Sequence, residues 1–146
     1  MENNSHVLAL DVGDKRIGIA ISDALGITAQ GITTVRRESI KKDTDAILSL
    51  IRENSCRRVV VGLPINLNGS DSIQTEKVRG FAEKLKNKLR SNGLAEVEVV
   101  YHDERFTTKI AEAVLIEADM RREKRREIID RQSAVVILQS YLSSQR

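Results

Sequence analysis

Cysteine, proline and tryptophan are almost absent: the 146 residues include one Cys, one Pro and no Trp. Because Cys56 has no partner within the chain, a fold held by a disulfide framework is excluded. A lone thiol is typical of a reducing, cytoplasmic setting. No apolar run approaches the ~20 residues that a membrane-spanning helix needs. The N-terminus also lacks a basic stretch followed by a long apolar one, so we expect no signal peptide, no membrane partner and a cytoplasmic location.

Aromatic side chains and excess charge are scarce as well. The chain has two Phe and two Tyr residues, fewer than we expect in a protein that stacks unpaired bases on aromatic rings. Lys and Arg number 24 against 21 Asp and Glu, which gives a net charge of +3. These numbers permit a nucleic-acid partner and favour contacts to its phosphate backbone over stacking on its bases.

What the sequence does contain is a periodic set of apolar residues, 40% of the total. A length of 146 residues predicts a single domain over residues 1–146 with a conventional apolar core. β-Branched runs between turn residues predict strands, and apolar residues at helical spacing predict helices. The predicted strands are residues 6–11, 17–22, 27–35, 58–63 and 97–102, and the predicted helices are 39–54, 71–91, one that begins at Thr107 or Thr108, and about 130–142.

The order of these elements predicts an α/β fold built on a mixed sheet. Short links join the first three strands, as in an antiparallel meander. The later strands alternate with helices, which implies parallel pairing. The charged stretch 121–126 is predicted to separate the last two helices, and its basic excess could follow the phosphates of a nucleic acid.

Acidic residues stand at the ends of three predicted elements. Asp11 ends the first strand, Asp103 and Glu104 follow the last strand, and Asp130 begins the final helix. Each has an ordinary explanation by itself, as a turn residue, a helix-start charge or an N-cap. If the final helix instead extends further toward the N-terminus, Asp130 shares a stripe with Ala134 and points at the sheet.

Together these acids predict a metal site. Unpaired buried carboxylates repel one another, so a cluster of them needs a cation, and oxygen-only ligands suit Mg²⁺ or Mn²⁺. Zinc is disfavoured because the two histidines lack metal-ligand spacing. Lys15 and Arg16, which follow Asp11, and Arg105, which follows the acid pair, are candidate phosphate-binding residues. The polar loop 64–72 lacks the lysine of a nucleotide-binding P-loop.

Four segments of the chain resemble the signature blocks of the YqgF family, also called RuvX, which is named for a pre-16S rRNA nuclease and is similar to Holliday-junction resolvases. They occur in the family's order and span nearly the whole chain. The segments are LALDVGDKRIGIAISD (8–23), VVVGLPINLNGS (59–70), HDERFTT (102–108) and DRQSAVVILQSYL (130–142). The chain departs from many members in having Ala24 and Gly31 where they carry proline, and Asn68-Gly69 in the loop.

The resemblance implies an RNase H-like fold, with a five-stranded mixed sheet in the order 3-2-1-4-5 and helices on both faces. It implies a bacterial cytoplasmic nuclease that matures the 5′ end of 16S ribosomal RNA. The family's acidic positions map onto Asp11, Glu104 and Asp130 as catalytic and metal-binding residues, with Asp103 as the alternative to Glu104.

Four functions remain open at this point. The first is metal-dependent hydrolysis of precursor ribosomal RNA by a monomer or a weak dimer, with Asp11, Glu104 and Asp130 holding one or two metal ions. The second is resolution of Holliday junctions, which needs a dimer with two sites. The third is a nucleic-acid-binding module without turnover. The fourth, an actin-like ATPase, needs two such domains and is disfavoured by the length of the chain.

Overall fold

A five-stranded mixed sheet carries three described helices. The computed structural model describes residues 6–105 and 122–145, with the side chains of residues 6–105 and 131–145. The strands lie in the order β3-β2-β1-β4-β5, as predicted. The elements are β1 (His6–Val12), β2 (Arg16–Ser22), β3 (Ala29–Arg36), α1 (Ile40–Glu53), β4 (Cys56–Leu63), α2 (Ile73–Ser91), β5 (Glu98–Asp103) and α3 (Arg122–Ser144).

The pairing of the strands follows the length of their connections. β1 pairs antiparallel with β2, and β2 pairs antiparallel with β3, through short turns. β4 pairs parallel with β1 and with β5, because parallel neighbours need a long crossover, which α1 and α2 supply. The meander and the parallel half of the predicted sheet are both confirmed.

Each face of the sheet has its own apolar core, because successive side chains of a strand point to opposite faces. Val59 and Val61 of β4 join the core that contains the buried residues of α1 and α2. Val60, between them, joins the core that contains Ala134 and Ile137 of α3. All three valines of β4 are fully buried, which explains the unbroken β-branched run of that strand.

Two helix starts show how local chemistry sets the boundaries. The Ser39 hydroxyl accepts a hydrogen bond from the Lys42 amide at 3.1 Å and so caps the N-terminus of α1. α2 begins two residues later than predicted, because Ser72 and Thr75 form a reciprocal capping box. Asp71 therefore lies outside the helix and forms an ion pair with Arg79 at 3.0 Å.

The final helix is longer than the sequence predicted. α3 begins at Arg122 rather than near residue 130, so residues 122–126 do not separate two helices but belong to one. Arg, Glu and Lys are good helix formers, so a charged stretch of this composition can continue a helix. The predicted helix from Thr107 or Thr108 lies outside the described residues, as does Arg121. Within the described part of the chain, no helix is long and apolar enough to cross a membrane.

Candidate active site

Asp11 lies near the carboxyl end of the central strand and is half-buried. It pairs with Gly18 on β2. The last β1–β4 pair joins Leu10 to Val61, so Asp11 and Gly62 follow at the same level. By strand alternation, Asp11 shares a face with Ala9, which packs against α3. The acid therefore has a glycine on each neighbouring strand, on the α3 side of the sheet.

Glu104 reaches back across Gly62 on this same side. A Cβ atom built on Gly62 would lie 2.9 Å from Oε2 of Glu104 and 2.5 Å from Cδ1 of Ile137. The Glu104 amide donates to the Leu63 carbonyl at 3.3 Å, which continues the β4–β5 pairing past the end of β5. Because Gly62 has no side chain, it leaves room for both the Glu104 carboxylate and the Ile137 side chain of α3, one strand away from Asp11.

Asp103, although adjacent in sequence, faces the other side of the sheet with Tyr101. Its carboxylate accepts hydrogen bonds from the Arg105 amide at 3.0 Å and from Nε of the same arginine at 2.7 Å, and it forms an ion pair with Nη2 at 2.6 Å. The Arg105 side chain is the main cause that lowers the pKa of Asp103 below its usual range. Asp103 is thus an ion-pair partner of Arg105 and does not join Glu104.

Arg105 connects β5 to the loop 64–72. Its Nη1 donates to the Leu67 carbonyl at 3.2 Å while Nε holds Asp103. The loop closes on itself through Asn66 and Ser70, whose backbone groups are joined at 2.9 Å, and Gly69 supplies the positive φ of +88°. In this structure the guanidinium predicted to bind phosphate holds a loop in place.

Lys15 and Arg16 occupy the turn that follows β1. Lys15 is exposed, and its carbonyl accepts from the Arg37 amide at 2.8 Å. Arg16 begins β2, and its carbonyl accepts from the Gly13 amide at 2.9 Å. The turn that follows Asp11 is therefore held by its own backbone and by the end of β3.

A buried ion pair that the sequence analysis did not identify supports this turn. Asp43 in the first turn of α1 is 2% exposed. Its carboxylate accepts from Nε of Arg37 at 3.0 Å, and Nη1 of Arg37 donates to the Gly13 carbonyl at 2.9 Å. The arginine is stacked over Phe81. The only signal of this pair in the sequence was an acidic residue in the first turn of a predicted helix, and exposed acidic residues are equally common there.

A second missed contact joins β5 to α3. Nε2 of His102 and the Ser140 hydroxyl lie 2.8 Å apart, and the imidazole ring meets the Tyr141 ring edge-on at 6.0 Å. Burial lowers the pKa of His102. Because His102 lies directly beside Gly62 in the sheet, both residues determine where α3 crosses the strands.

Asp130 lies inside α3 rather than at its start, so the N-cap interpretation is wrong. Its backbone is seven residues, nearly two turns, before Ile137, which places it on the same helix face about 10 Å further toward the N-terminus. Its side chain lies outside the described part. Among the side chains that are described, no group of three or more His, Cys, Asp or Glu residues could hold a metal ion.

The sheet order, the helices on both faces and the carboxylates at one edge define an α/β protein of RNase H-like fold. RuvC of T. thermophilus, solved in complex with a Holliday junction substrate, has a TM-score of 0.57 at 13% identity and covers 97% of this chain and 96% of its own. The Fowlpox virus resolvase, solved with Holliday junction DNA, has a TM-score of 0.56 at 13% identity, with 96% and 98% covered. At these identities the likeness concerns the fold.

Sequence comparison gives the family. The model of the RuvX family, described as "Holliday junction resolvase", matches residues 5–144. A protein of Caldanaerobacter subterraneus subsp. tengcongensis named "Putative pre-16S rRNA nuclease" is 53% identical over 141 residues, 96% of this chain and 97% of that protein. One of the same name from Desulforamulus reducens is 46% identical over 138 residues, with 94% and 96% covered. The chain belongs to the RuvX family, which confirms the resemblance seen in the sequence.

Proposed function

We propose that this nuclease hydrolyses RNA phosphodiester bonds with a divalent metal ion held by Asp11, Glu104 and Asp130. The observation that carries the proposal is the position of Glu104, whose carboxylate lies over Gly62 on the face and at the edge of the sheet where Asp11 lies. Asp11 of β1 and Glu104, directly after β5, both lie at the carboxyl ends of strands, where open α/β sheets place their ligands.

The residues fit a hard divalent cation. Asp11 and Glu104 offer only oxygen atoms, the ligands that Mg²⁺ and Mn²⁺ prefer, and the missing side chain at Gly62 leaves the space in which the Glu104 carboxylate lies. The helix face shared with Ile137 brings the Asp130 backbone toward the same side of the sheet. When bound, the ion activates a water molecule and offsets the charge of the phosphate under attack.

The other residues of the site bind and orient the substrate. Arg16 lies on the Asp11 side of β2, where its guanidinium can neutralise a phosphate next to the one that is cut, and exposed Lys15 extends this charge into the turn. Arg37, through the Gly13 carbonyl, holds that turn in position. Arg105 acts indirectly, because it fixes the loop 64–72 beside Glu104.

The proposed role is maturation of the 5′ end of precursor 16S ribosomal RNA in the cytoplasm, and the names of the relatives support pre-16S rRNA as the substrate. The family description favours a second candidate, resolution of Holliday junctions. The two candidates differ in substrate, since RNA processing needs one site whereas junction resolution needs two sites in a dimer. A four-way DNA junction and a precursor RNA fragment, each labelled and offered at equal concentration, distinguish them. Preferential cleavage of the RNA is expected, and preferential, paired cleavage of the junction would favour resolution.

Asp11→Asn tests the metal site directly. The variant keeps the size of the side chain but removes the charge that holds the cation, so we expect Mg²⁺-dependent cleavage of the RNA fragment to fall below detection. The measurement is the rate of product formation by protein free of contaminating nuclease. The matched control is Asp14→Asn, which removes a nearby exposed acid that pairs with Lys77 instead.

Thermal unfolding of both variants shows whether they fold, and Mn²⁺ titration shows whether they bind the ion. The expected result is a folded Asp11→Asn protein with weakened Mn²⁺ binding and no cleavage, beside an Asp14→Asn protein that cleaves normally. Full activity in Asp11→Asn would overturn the proposed site.

A further inference from the structure

We infer that a cleft between the start of α1 and the first half of α2 binds one unpaired nucleotide of the RNA, with the base inside the cleft and a phosphate beside Lys84. The inference rests on the proposed nuclease function and adds a contact with the substrate outside the metal site. The cleft has a volume of about 570 Å³, within the range of pockets that hold small ligands. The lining residues that carry the argument are Val12, Arg37, Ile40, Gly80, Phe81 and Lys84.

The cleft begins one residue away from the aspartate of the proposed metal site. Val12 follows Asp11 on β1 and points to the opposite face of the sheet, where it lines the cleft and joins the core of α1 and α2. The turn 13–15 separates the two faces at this edge of the sheet, and Lys15 in the turn is exposed. An RNA strand that crosses the edge over this turn therefore reaches both Asp11 and the cleft.

Gly80 leaves one wall of the cleft without a side chain. It is an exposed glycine in the interior of the 19-residue helix α2, where glycine lowers helix stability relative to alanine. A Cβ atom added to it would have no neighbour within 4 Å, so no contact among the described residues requires the glycine. Since Gly80 lines the cleft, its missing side chain keeps open a space that a larger residue would occupy.

Arg37 presents a flat polar group to the cleft. Its guanidinium packs over the Phe81 ring at 5.0 Å from the centroid, while Nε and Nη1 donate to Asp43 and to the Gly13 carbonyl. These contacts hold the group in one orientation, and the side chain is still 20% exposed. A guanidinium plane fixed in this way offers a stacking surface to an unpaired base. Ile40, which also lines the cleft, supplies an apolar wall beside it.

The charges around the cleft favour an anion at Lys84. Three carboxylates line the cleft, and each is already paired with a cation. The pairs are Asp43–Arg37 at 3.0 Å, Glu38–Lys42 at 3.4 Å and Asp14–Lys77 at 3.5 Å. Lys84 is exposed and has no ion-pair partner within the part of the chain that the structure describes. A phosphate is the anion that a bound nucleotide brings to this ammonium group.

Gly80→Leu tests the cleft, because leucine favours helix and its side chain fills the space beside residue 80. Binding of a fluorescein-labelled single-stranded RNA is measured by anisotropy in EDTA, so the result does not depend on the metal site. We expect Gly80→Leu to raise Kd about 5-fold or more, the effect of losing one stacked base, and thermal unfolding to show a folded protein. Asn87→Leu is the matched control, since Asn87 is an exposed residue of α2 outside the cleft, and it should bind RNA as the wild type does.

Lys84→Gln tests the phosphate contact by the salt dependence of the same binding reaction. One phosphate contact contributes roughly 0.7 to the slope of log Kd against log salt for single strands, so we expect the slope to fall by about that amount. Lys86→Gln removes an equal charge from the same helix, but from a lysine that pairs with Glu83 at 3.0 Å. Its slope should equal that of the wild type, and an unchanged slope in Lys84→Gln would contradict the phosphate contact.

RNAs with a single abasic site show whether the cleft holds a nucleotide of the RNA or a free one. At one position an abasic site should weaken binding to the wild type and have no further effect in Gly80→Leu. Equal Kd values for the wild type and Gly80→Leu, or equal losses in Gly80→Leu and Asn87→Leu, would overturn the inference and leave the metal proposal untouched. Binding of free UMP that is lost in Gly80→Leu while RNA binding is unchanged would assign the cleft to a free nucleotide and would also overturn it.

Discussion

At the scale of single residues, the acid pair after β5 shows how two adjacent side chains acquire different roles. Asp103 and Glu104 point to opposite faces because strand alternation continues to the end of β5. Arg105 binds the Asp103 carboxylate through two hydrogen bonds and an ion-pair contact. Glu104 is left on the face that carries Asp11, where Gly62 makes room for it.

Glu104→Gln and Asp103→Asn should therefore have unequal effects on cleavage. We expect Glu104→Gln to lower kcat/KM by roughly 100-fold or more, because a bound metal ion supplies several kcal/mol of charge stabilisation in the transition state. Asp103→Asn loosens Arg105 and the loop 64–72 but leaves Asp11 and Glu104 in place, so its loss should be much smaller. Initial rates over a range of Mg²⁺ concentrations measure both, and equal losses would contradict the assignment of Glu104.

The sequence alone did not separate these two acids. Both follow the same strand, and the preference for Glu104 came from the family resemblance. The choice depends on where strand alternation ends and on the three contacts of Arg105, neither of which a pattern of apolar residues records. The Arg37–Asp43 pair was missed for a similar reason, because the partners come from β3 and α1 and meet only in the folded chain.

At the scale of helices and strands, two glycines have opposite reasons for being present. Gly62 in β4 is closely covered, with Ile137 and Glu104 above it, whereas Gly80 in the middle of α2 has nothing within 4 Å of an added Cβ atom. Glycine inside a helix destabilises it by roughly 0.5–1 kcal/mol relative to alanine. The first glycine is required by packing, and the second is not.

The same substitution at these two positions should change stability in opposite directions. Gly80→Ala should raise the free energy of unfolding by about 0.5–1 kcal/mol. Gly62→Ala should lower it by about 1–3 kcal/mol, as an inserted methyl group does in a filled core. It should also reduce cleavage, because it displaces the Glu104 carboxylate. Urea unfolding measures both changes in stability. Cleavage rates at a temperature where the variants stay folded measure the loss of activity. A stable, fully active Gly62→Ala protein would contradict the packing argument.

The elements themselves were largely predictable, and the exceptions have physical causes. The run 58–63 predicted a strand buried on both faces because β-branched residues without polar interruption suit no other element as well. The predicted start of α3 was wrong because the charged stretch 121–126 was interpreted as a connection between two helices, although Arg, Lys and Glu favour helix. Asp130 was accordingly assigned to an N-cap first and to the helix interior only as an alternative.

At the scale of the whole molecule, α3 packs across the sheet and contacts every one of its five strands. Arg131 lies against β3 and Ile137 against β4, while Ser140 is hydrogen-bonded to His102 of β5. The position of the helix relative to Glu104 therefore depends on several contacts between Arg131 and Ser140. Because one of them includes a histidine, the stability of the entire fold should respond to pH.

Burial lowers the pKa of His102 in the folded protein, whereas in the unfolded chain the pKa is near 6.5. As the pH falls below about 6.5, the unfolded state binds a proton that the folded state does not. The free energy of unfolding therefore decreases until the pH reaches the lowered pKa of the folded state. His102→Gln removes this titration and retains a hydrogen-bonding group for Ser140. We expect the free energy of unfolding, measured in urea, to fall less between pH 7.5 and pH 5.0 in the variant than in the wild type.

His6→Gln is the control, since it leaves His102 in place and should lose as much free energy of unfolding as the wild type. An identical loss in His102→Gln would show that the imidazole is not the group that couples acid to the docking of α3.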